Sequence, residues 1–292
     1  MKPGPRLVVK YLLEEFPIES SPKDALEVVA EVVLDKGWKQ HRSFALEKAE
    51  SWKGRVLKKL RTELSQLERQ GKPARICFNS ADAEKIQGAC FVEPNDSSDI
   101  RVQKERRLQV SSYQKIVERL NPDEFELLCR KFIEIIGVKD AYVTRSTADD
   151  GIDFYGLLEG ESIFFPKDLK PTIQKQLSIW LVGQAKQYIK TQAGTPEVRD
   201  LVGSVALGRS GVVSTEKSPF PNLSIRISDP VFTILVTGGS LSSRAWKLLN
   251  RSGVVGVDGE LLAAFLADRA AGPEGGLDEE GFIEWLKEDV LV

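Results

Sequence analysis

Apolar residues recur at helical spacing in the first seventy residues of the chain. One helix is predicted to end at Pro17. A second is predicted to begin at Pro22, with Ser21 as its N-cap residue and the proline at the first helical position. A third helix is predicted from about Trp52 to Gln70, followed by a short strand over Ala74–Phe78. The pattern therefore indicates three helices, a basic turn and a strand.

That order of elements is typical of a winged helix, so residues 1–78 are interpreted as a mainly helical, winged-helix-like domain. The third helix carries Lys and Arg beside its apolar stripe. Such a face is often merely solvated, but it also suits contact with DNA phosphates, and the pattern leaves both interpretations open. The candidate DNA-binding residues, on this helix and on the turn and wing after it, are Lys53, Lys58, Lys59, Arg61, Lys72 and Arg75.

From residue 79 to 112 the pattern loses its period and is rich in turn residues, which indicates a linker. The second predicted domain, residues 113–271, opens with a helix capped by Asn121-Pro122. The predicted strands are Ala141–Thr144, Ile152–Gly156, Ser178–Lys186, Val231–Thr237 and Val254–Val257. With helices between several of these strands, we expect an α/β domain whose mixed sheet is flanked by helices. Residues 272–292 are predicted to form one more amphipathic helix, which docks on either domain or on a partner.

Composition narrows the chemistry. The 292 residues contain 41 Lys and Arg against 43 Asp and Glu, so a basic surface has to be local. Three cysteines without CxxC spacing and a single histidine disfavour a disulfide framework, a zinc site and a Ser-His-Asp triad. The chemistry then falls to carboxylates, amides and lysines, a ligand set that suits Mg²⁺. Apolar runs are too short to span a membrane, and a cytoplasmic protein is expected.

The predicted strands carry a group of polar residues suited to hydrolysis. Gln184 and Lys186 share one strand face, and Asp153 lies opposite Gln184 if the second and third strands pair. Oxygens from Asp153, Gln184 and the Ala185 carbonyl would suit Mg²⁺. Lys186 would hold or deprotonate the attacking water and offset developing charge, and Glu126 would bind the metal through a water or complete a second site. The group predicts metal-dependent phosphodiester hydrolysis.

The ordered motifs Phe125-Glu126, Asp150-Gly151-Ile152-Asp153 and Gln184-Ala185-Lys186 resemble the PD-(D/E)xK nuclease core of the Mrr-like restriction endonucleases. The resemblance implies a restriction-endonuclease-like fold and an N-terminal winged-helix-like DNA-binding module. It implies that Asp153 and Gln184 are metal-site residues, that Lys186 is the catalytic lysine and that Glu126 is an auxiliary acid. Asp150 departs from the family, which often has glycine there. Two further departures are apparent insertions at 159–176 and 214–230, which would gate the site or dock a partner.

The sequence therefore predicts a Mg²⁺-dependent endonuclease of restriction or anti-phage type, with Mn²⁺ able to substitute. Its expected substrate is double-stranded DNA, modified or unmodified, and it would act alone or within a defence complex that includes a partner protein. A homodimer or higher oligomer is expected because cutting both strands usually requires two active sites. Two alternatives are a DNA-binding or regulatory protein with an inactive nuclease fold, and a nuclease of DNA repair or junction processing.

Overall fold

The structure is a computed structural model that describes residues 2–144, 151–159, 178–210, 220, 222–273 and 277–288. The chain divides into two compact units, Met1–Gln109 and Val110–Val292. Within the described ranges, none of the helices is long and apolar enough to cross a membrane.

The N-terminal unit packs three helices against a small antiparallel sheet. Its core joins Val8, Val29 and Val56, one from each of the three helices, to Ile86 of the sheet. The strand order is β1-β3-β2. In chain order the elements are α1 (Pro5–Glu15), β1 (Lys23–Asp24), α2 (Ala25–Asp35), α3 (Arg42–Arg69), β2 (Ile76–Phe78), β3 (Lys85–Gly88) and α4 (Ser98–Arg107).

Two helix starts differ from the sequence expectation. The second helix is capped by Asp24, whose Oδ1 accepts the Leu26 backbone N–H at 2.7 Å, and not by Ser21. The third helix begins ten residues before Trp52. Its first turns are held by Ala45 and Ala49, which are fully buried but too small to stand out as an apolar stripe.

Residues 79–112, interpreted as a linker, contain β3 and α4, and the division between the two units falls after Gln109. A polar network holds this segment. The buried Gln87 side chain accepts from Asn79 Nδ2 and donates to Glu93 Oε1, both at 2.7 Å. Of this fully described segment, only Ile86 lies in the apolar core of the unit, and α4 buries no side chain, so hydrophobic patterning misses the structure of this segment.

The C-terminal unit contains a five-stranded mixed sheet in the order β4-β5-β6-β7-β8. The β4, β5 and β6 strands pair antiparallel, and β6, β7 and β8 pair parallel. The strands are β4 (Ala141–Val143), β5 (Phe154–Glu159), β6 (Ser178–Lys186), β7 (Val231–Thr237) and β8 (Val255–Val257). The helices are α5 (Val110–Arg119), α6 (Pro122–Ile136), α7 (Thr195–Arg209), α8 (Ser243–Ser252), α9 (Gly259–Arg269) and α10 (Glu279–Lys287). The predicted α/β class and mixed sheet are confirmed.

Both faces of this sheet are covered by helices. On one face Leu181 and Ala185 of β6 pack with residues of α5, α6, α9 and α10. On the other face Trp180 and Val182 of β6 pack with residues of α7 and α8. Side chains alternate between faces along a strand, so positions 184 and 186 lie on the α7/α8 face.

The C-terminal helix, whose docking site the sequence left open, packs within its own unit. Phe282 and Leu286 of α10 are fully buried in the core shared with α5, α6 and α9. The guanidinium of Arg130 in α6 is fully buried, and its Nη2 donates to the carbonyls of Leu286 at 3.3 Å and Glu288 at 2.8 Å. These carbonyls lie at the C-terminal end of α10, where a helix needs outside donors.

Candidate active site

Asp153 is buried directly before β5 and is held by backbone and side-chain hydrogen bonds. Its backbone N–H donates to the Gly183 carbonyl at 2.9 Å, and its carbonyl accepts from Thr144 N–H at 3.0 Å. The carboxylate Oδ2 accepts the backbone N–H of Ala185 at 2.7 Å. These bonds fix the carboxylate against the last residues of β6.

Gln184 lies opposite Asp153, one step beyond the Phe154–Gly183 pair of the β5–β6 ladder. Its side chain is 4% exposed. Among the described residues, its buried Oε1 has no hydrogen-bond donor. Because an unsatisfied buried polar group costs about 1–3 kcal/mol, this oxygen is suited to accept a ligand beside the Asp153 carboxylate.

Lys186 is the last residue of β6 and is half-buried. Strand alternation puts it on the same face as Gln184. Within the described parts of the chain, its ammonium group makes no ion pair or hydrogen bond. The charge is therefore available to a substrate at this end of the sheet.

Gly151 brings α7 close to these residues. Its φ of +78° lies in the left-handed region, and a Cβ there would collide with Ser204 Oγ of α7 while lying 3.7 Å from Gln184 Nε2. Ser204 therefore borders the site, although no sequence motif pointed to it. The preceding motif residue, Asp150, lies outside the described residues.

Glu126 is half-buried on α6, three residues before Cys129. Burial raises the pKa of the Cys129 thiol well above its usual value, and the nearby carboxylates of Asp153 and Glu126 raise it further. Both carboxylates therefore lie within electrostatic reach of the Cys129 thiol. The protonated thiol offers no ligand to a soft metal.

The donors at this site fit a hard divalent cation. In the described ranges, no group of three or more His, Cys, Asp or Glu side chains is arranged to hold a metal. The candidate site instead combines the Asp153 carboxylate, the unpaired Gln184 amide oxygen and the Ala185 main chain. Such oxygen donors suit Mg²⁺, which is bound by few protein ligands and keeps several waters.

In the N-terminal unit, two predicted DNA-binding residues contact the β2–β3 hairpin. Lys53 Nζ pairs with Glu84 Oε2 at 2.7 Å. The Arg61 guanidinium lies 5.0 Å from the centre of the Phe78 ring and its Nη2 lies 3.4 Å from the Ala83 carbonyl. These contacts brace the hairpin against α3.

The other four predicted DNA-binding residues have different surroundings. Lys58 is exposed, whereas Lys59 pairs with Glu63 at 2.8 Å. Lys72 lies in the turn after α3, as the sequence predicted, and Arg75 lies just before β2, which begins at Ile76 and not at Ala74. Arg75 Nε donates to the Phe16 carbonyl at 3.2 Å.

The first predicted insertion, 159–176, falls almost wholly outside the described residues, and the second, 214–230, does so in part. Nothing from 160 to 177 is described, and of 211–221 only Phe220 is. Between 222 and 230 the chain is fixed by Asp229, which accepts from Arg226, and by Arg209 of α7, whose Nη2 donates to the Asp229 carbonyl at 2.9 Å.

Among solved structures, the chain is similar to three restriction endonucleases. One is MspJI in complex with a 27-mer oligonucleotide, at 17% identity and a TM-score of 0.41, covering 68% of this chain and 40% of that one. The second is the DNA modification-dependent restriction endonuclease AspBHI, at 16% identity and a TM-score of 0.38, covering 69% of this chain and 44% of that one. The third is FokI, at 12% identity and a TM-score of 0.34, covering 94% of this chain and 45% of that one. The matched region thus spans less than half of each of these chains.

No curated protein matches the chain. Residues 117–220 match the family model Mrr_cat, which is described as a restriction endonuclease. The matched segment contains Glu126, Asp153, Gln184 and Lys186. The resemblance to the Mrr-like restriction endonucleases, indicated by three short motifs, is therefore confirmed over residues 117–220 of this chain.

Proposed function

We propose that this protein is a Mg²⁺-dependent DNA endonuclease of restriction type. The family match supports a nuclease of this type. The observation that carries the proposal is the buried, unpaired amide oxygen of Gln184 beside the fixed carboxylate of Asp153. An all-oxygen pair of this kind, followed two residues later by a lysine on the same strand face, suits phosphodiester hydrolysis.

Asp153, Gln184 and the Ala185 carbonyl would hold the divalent ion. A bound Mg²⁺ or Mn²⁺ supplies Lewis-acid stabilisation to the phosphodiester oxygens. The bond from Ala185 N–H to Asp153 Oδ2 keeps the carboxylate in one orientation, so little reorganisation is needed on binding.

Lys186 and Glu126 complete the proposed chemistry. The Lys186 ammonium orients the attacking water and offsets negative charge that develops on the phosphate in the transition state. Glu126 on α6 acts as the auxiliary acid that accepts a hydrogen bond from a water at the site. Gly151 and Ser204 hold the turn before Asp153 against α7, and this packing shapes the site on the α7/α8 face of the sheet.

We further propose that the N-terminal unit is a winged helix that binds duplex DNA through α3. The order α1, β1, α2, α3, β2, β3 with a three-stranded antiparallel sheet supports this fold. The exposed residues of α3 between positions 51 and 65 include three basic side chains and no Asp or Glu, so this stretch complements the negative charge of a phosphate backbone. The exposed residues are Ser51, Gly54, Arg55, Lys58, Arg61, Thr62 and Ser65.

Lys58→Ala is expected to weaken binding to all duplex sequences alike and to lower the slope of log K against log salt by about one. The measurement is fluorescence anisotropy with a labelled duplex across a salt series. Lys59→Ala is the matched control, because Lys59 pairs with Glu63 and we expect it to contribute less. A slope for Lys58→Ala equal to that of the wild type would exclude Lys58 as a phosphate contact.

Cleavage of plasmid DNA tests the proposed function. Purified protein is incubated with methylated and unmethylated supercoiled plasmid in Mg²⁺, in Mn²⁺ and in EDTA. We expect linear product with either metal and none in EDTA, and a rate that rises steeply with protein concentration if two copies assemble to cut both strands.

Binding without cutting in every condition would favour a regulatory protein, and cutting confined to branched DNA would favour a repair nuclease. Preference for one methylation state would support a role in defence against foreign DNA. In that role we further propose that the protein acts with a partner protein.

A further inference from the structure

The chain turns sharply immediately after Lys186. The Lys186 carbonyl accepts the N–H of Tyr188 at 2.8 Å, which closes a three-residue turn centred on Gln187. The same carbonyl accepts the N–H of Gly238 at 3.2 Å, from the end of the neighbouring strand β7. The backbone that carries the proposed catalytic lysine is therefore bonded from two sides.

Gln187 ties this turn to the C-terminal end of α5. Its Nε2 donates to the Val117 carbonyl at 2.7 Å and to the Leu120 carbonyl at 3.0 Å. The last carbonyls of a helix have no partner within the helix, so the two hydrogens of one amide satisfy two of them. Val117 and Leu120 belong to the core on the α5/α6 face of the sheet, so Gln187 reaches behind the sheet while Lys186 faces the α7/α8 side.

The space around this carboxamide is kept free by Gly238. A Cβ at position 238 would collide with Gln187 Oε1 and lie 2.8 Å from its Cδ. Oε1 itself is buried and has no hydrogen-bond donor among the described residues. A buried polar atom left unsatisfied lowers stability, and such departures concentrate at functional sites.

We infer that Gln187 is a positioning residue, which holds the end of β6 so that the Lys186 ammonium stays beside Asp153 and Gln184. This inference rests on the proposed function of the site. Gln187 touches no reacting atom, and it acts through the backbone of Lys186. Its two N–H donors, and not its size, carry the role.

Gln187→Glu keeps the size of the side chain and removes both donors. In an active enzyme we expect kcat to fall roughly 10- to 100-fold with the KM for DNA unchanged, since the substrate contacts are intact. Gly238→Ala, which displaces the same carboxamide without altering Gln187, should reproduce this loss. Gln114→Glu is the matched control, because it makes the same chemical change on α5 at a side chain that contacts Glu118 and not β6.

Amide hydrogen exchange gives a readout that does not depend on activity. The N–H groups of Tyr188 and Gly238, both bonded to the Lys186 carbonyl, are expected to exchange at least about 10-fold faster in Gln187→Glu than in the wild type or in Gln114→Glu. If the wild-type chain cuts no DNA, the proposed function fails, and exchange at these two amides alone decides the inference. The inference is overturned if the two amides of Gln187→Glu exchange at the wild-type rate. In an active enzyme it is also overturned if kcat of Gln187→Glu stays within twofold of the wild type, or if the loss of activity comes from a raised KM.

Discussion

Lys186→Ala is expected to abolish cleavage of plasmid DNA in Mg²⁺, with a loss in rate of at least about 100- to 1,000-fold. The ammonium group lies on the strand face that carries Gln184, and alanine leaves the negative charge that develops on the phosphate without it. Asp153→Ala should cause a loss at least as large, because it removes the carboxylate that Ala185 N–H holds in place. The measurement is the initial rate at which supercoiled plasmid is converted to nicked and linear forms.

Lys190→Ala is the control for these two variants. Lys190 is exposed and lies four residues beyond Lys186, outside β6. It should cut at a rate close to the wild type, and thermal unfolding should show that all three variants remain folded. Undiminished cutting by folded Lys186→Ala protein would remove the proposed role of the lysine.

Arg130→Ala is expected to give the largest loss of stability. The fully buried guanidinium caps the C-terminal end of α10 through two carbonyls and pairs with Glu134 Oε1 at 3.0 Å. Its removal leaves buried carbonyls without donors and opens a cavity, which we expect to cost roughly 3 kcal/mol. For a unit of this size, that corresponds to a fall in Tm of about 6–12 °C in a thermal unfolding scan.

Arg119→Ala provides the comparison, because Arg119 also joins α10 to the rest of the unit. Its pair with Glu279 at 2.6 Å is largely exposed, with side chains 65% and 40% accessible. Such surface pairs contribute little, so its Tm should stay within about 2 °C of the wild type. A Tm for Arg130→Ala equally close to the wild type would contradict the structural role of the buried guanidinium.

The strands of the C-terminal unit were predictable because their sequence patterns are local, whereas the helix α5, which opens the unit, was not predicted. β6 matches its predicted bounds, and the strand β5 starts within two residues of its predicted position. The pairing of Asp153 with Gln184 followed from the two strand segments once they were assumed to be neighbours. Within each strand the informative residues lie a few positions apart, whereas the pairing of the two strands had to be assumed.

Features that depend on distant contacts were not predictable in this way. Ser204 reaches the site because α7 packs against the turn at Gly151, more than fifty residues earlier. Gln187 binds carbonyls about seventy residues away, and Arg130 caps a helix more than 150 residues away. Single polar residues carry no periodicity, so only the folded chain shows which of them meet.

A Mn²⁺ titration of the protein without DNA, followed by electron paramagnetic resonance, tests the proposed metal site itself. The variants are Gln184→Leu, which replaces the unpaired amide with an apolar side chain of similar size, and Asp153→Ala. We expect that the wild type binds Mn²⁺, that Gln184→Leu binds it at least about 10-fold more weakly, and that Asp153→Ala loses the site. Equal Mn²⁺ affinity in all three folded proteins would contradict a metal site built on Asp153 and Gln184.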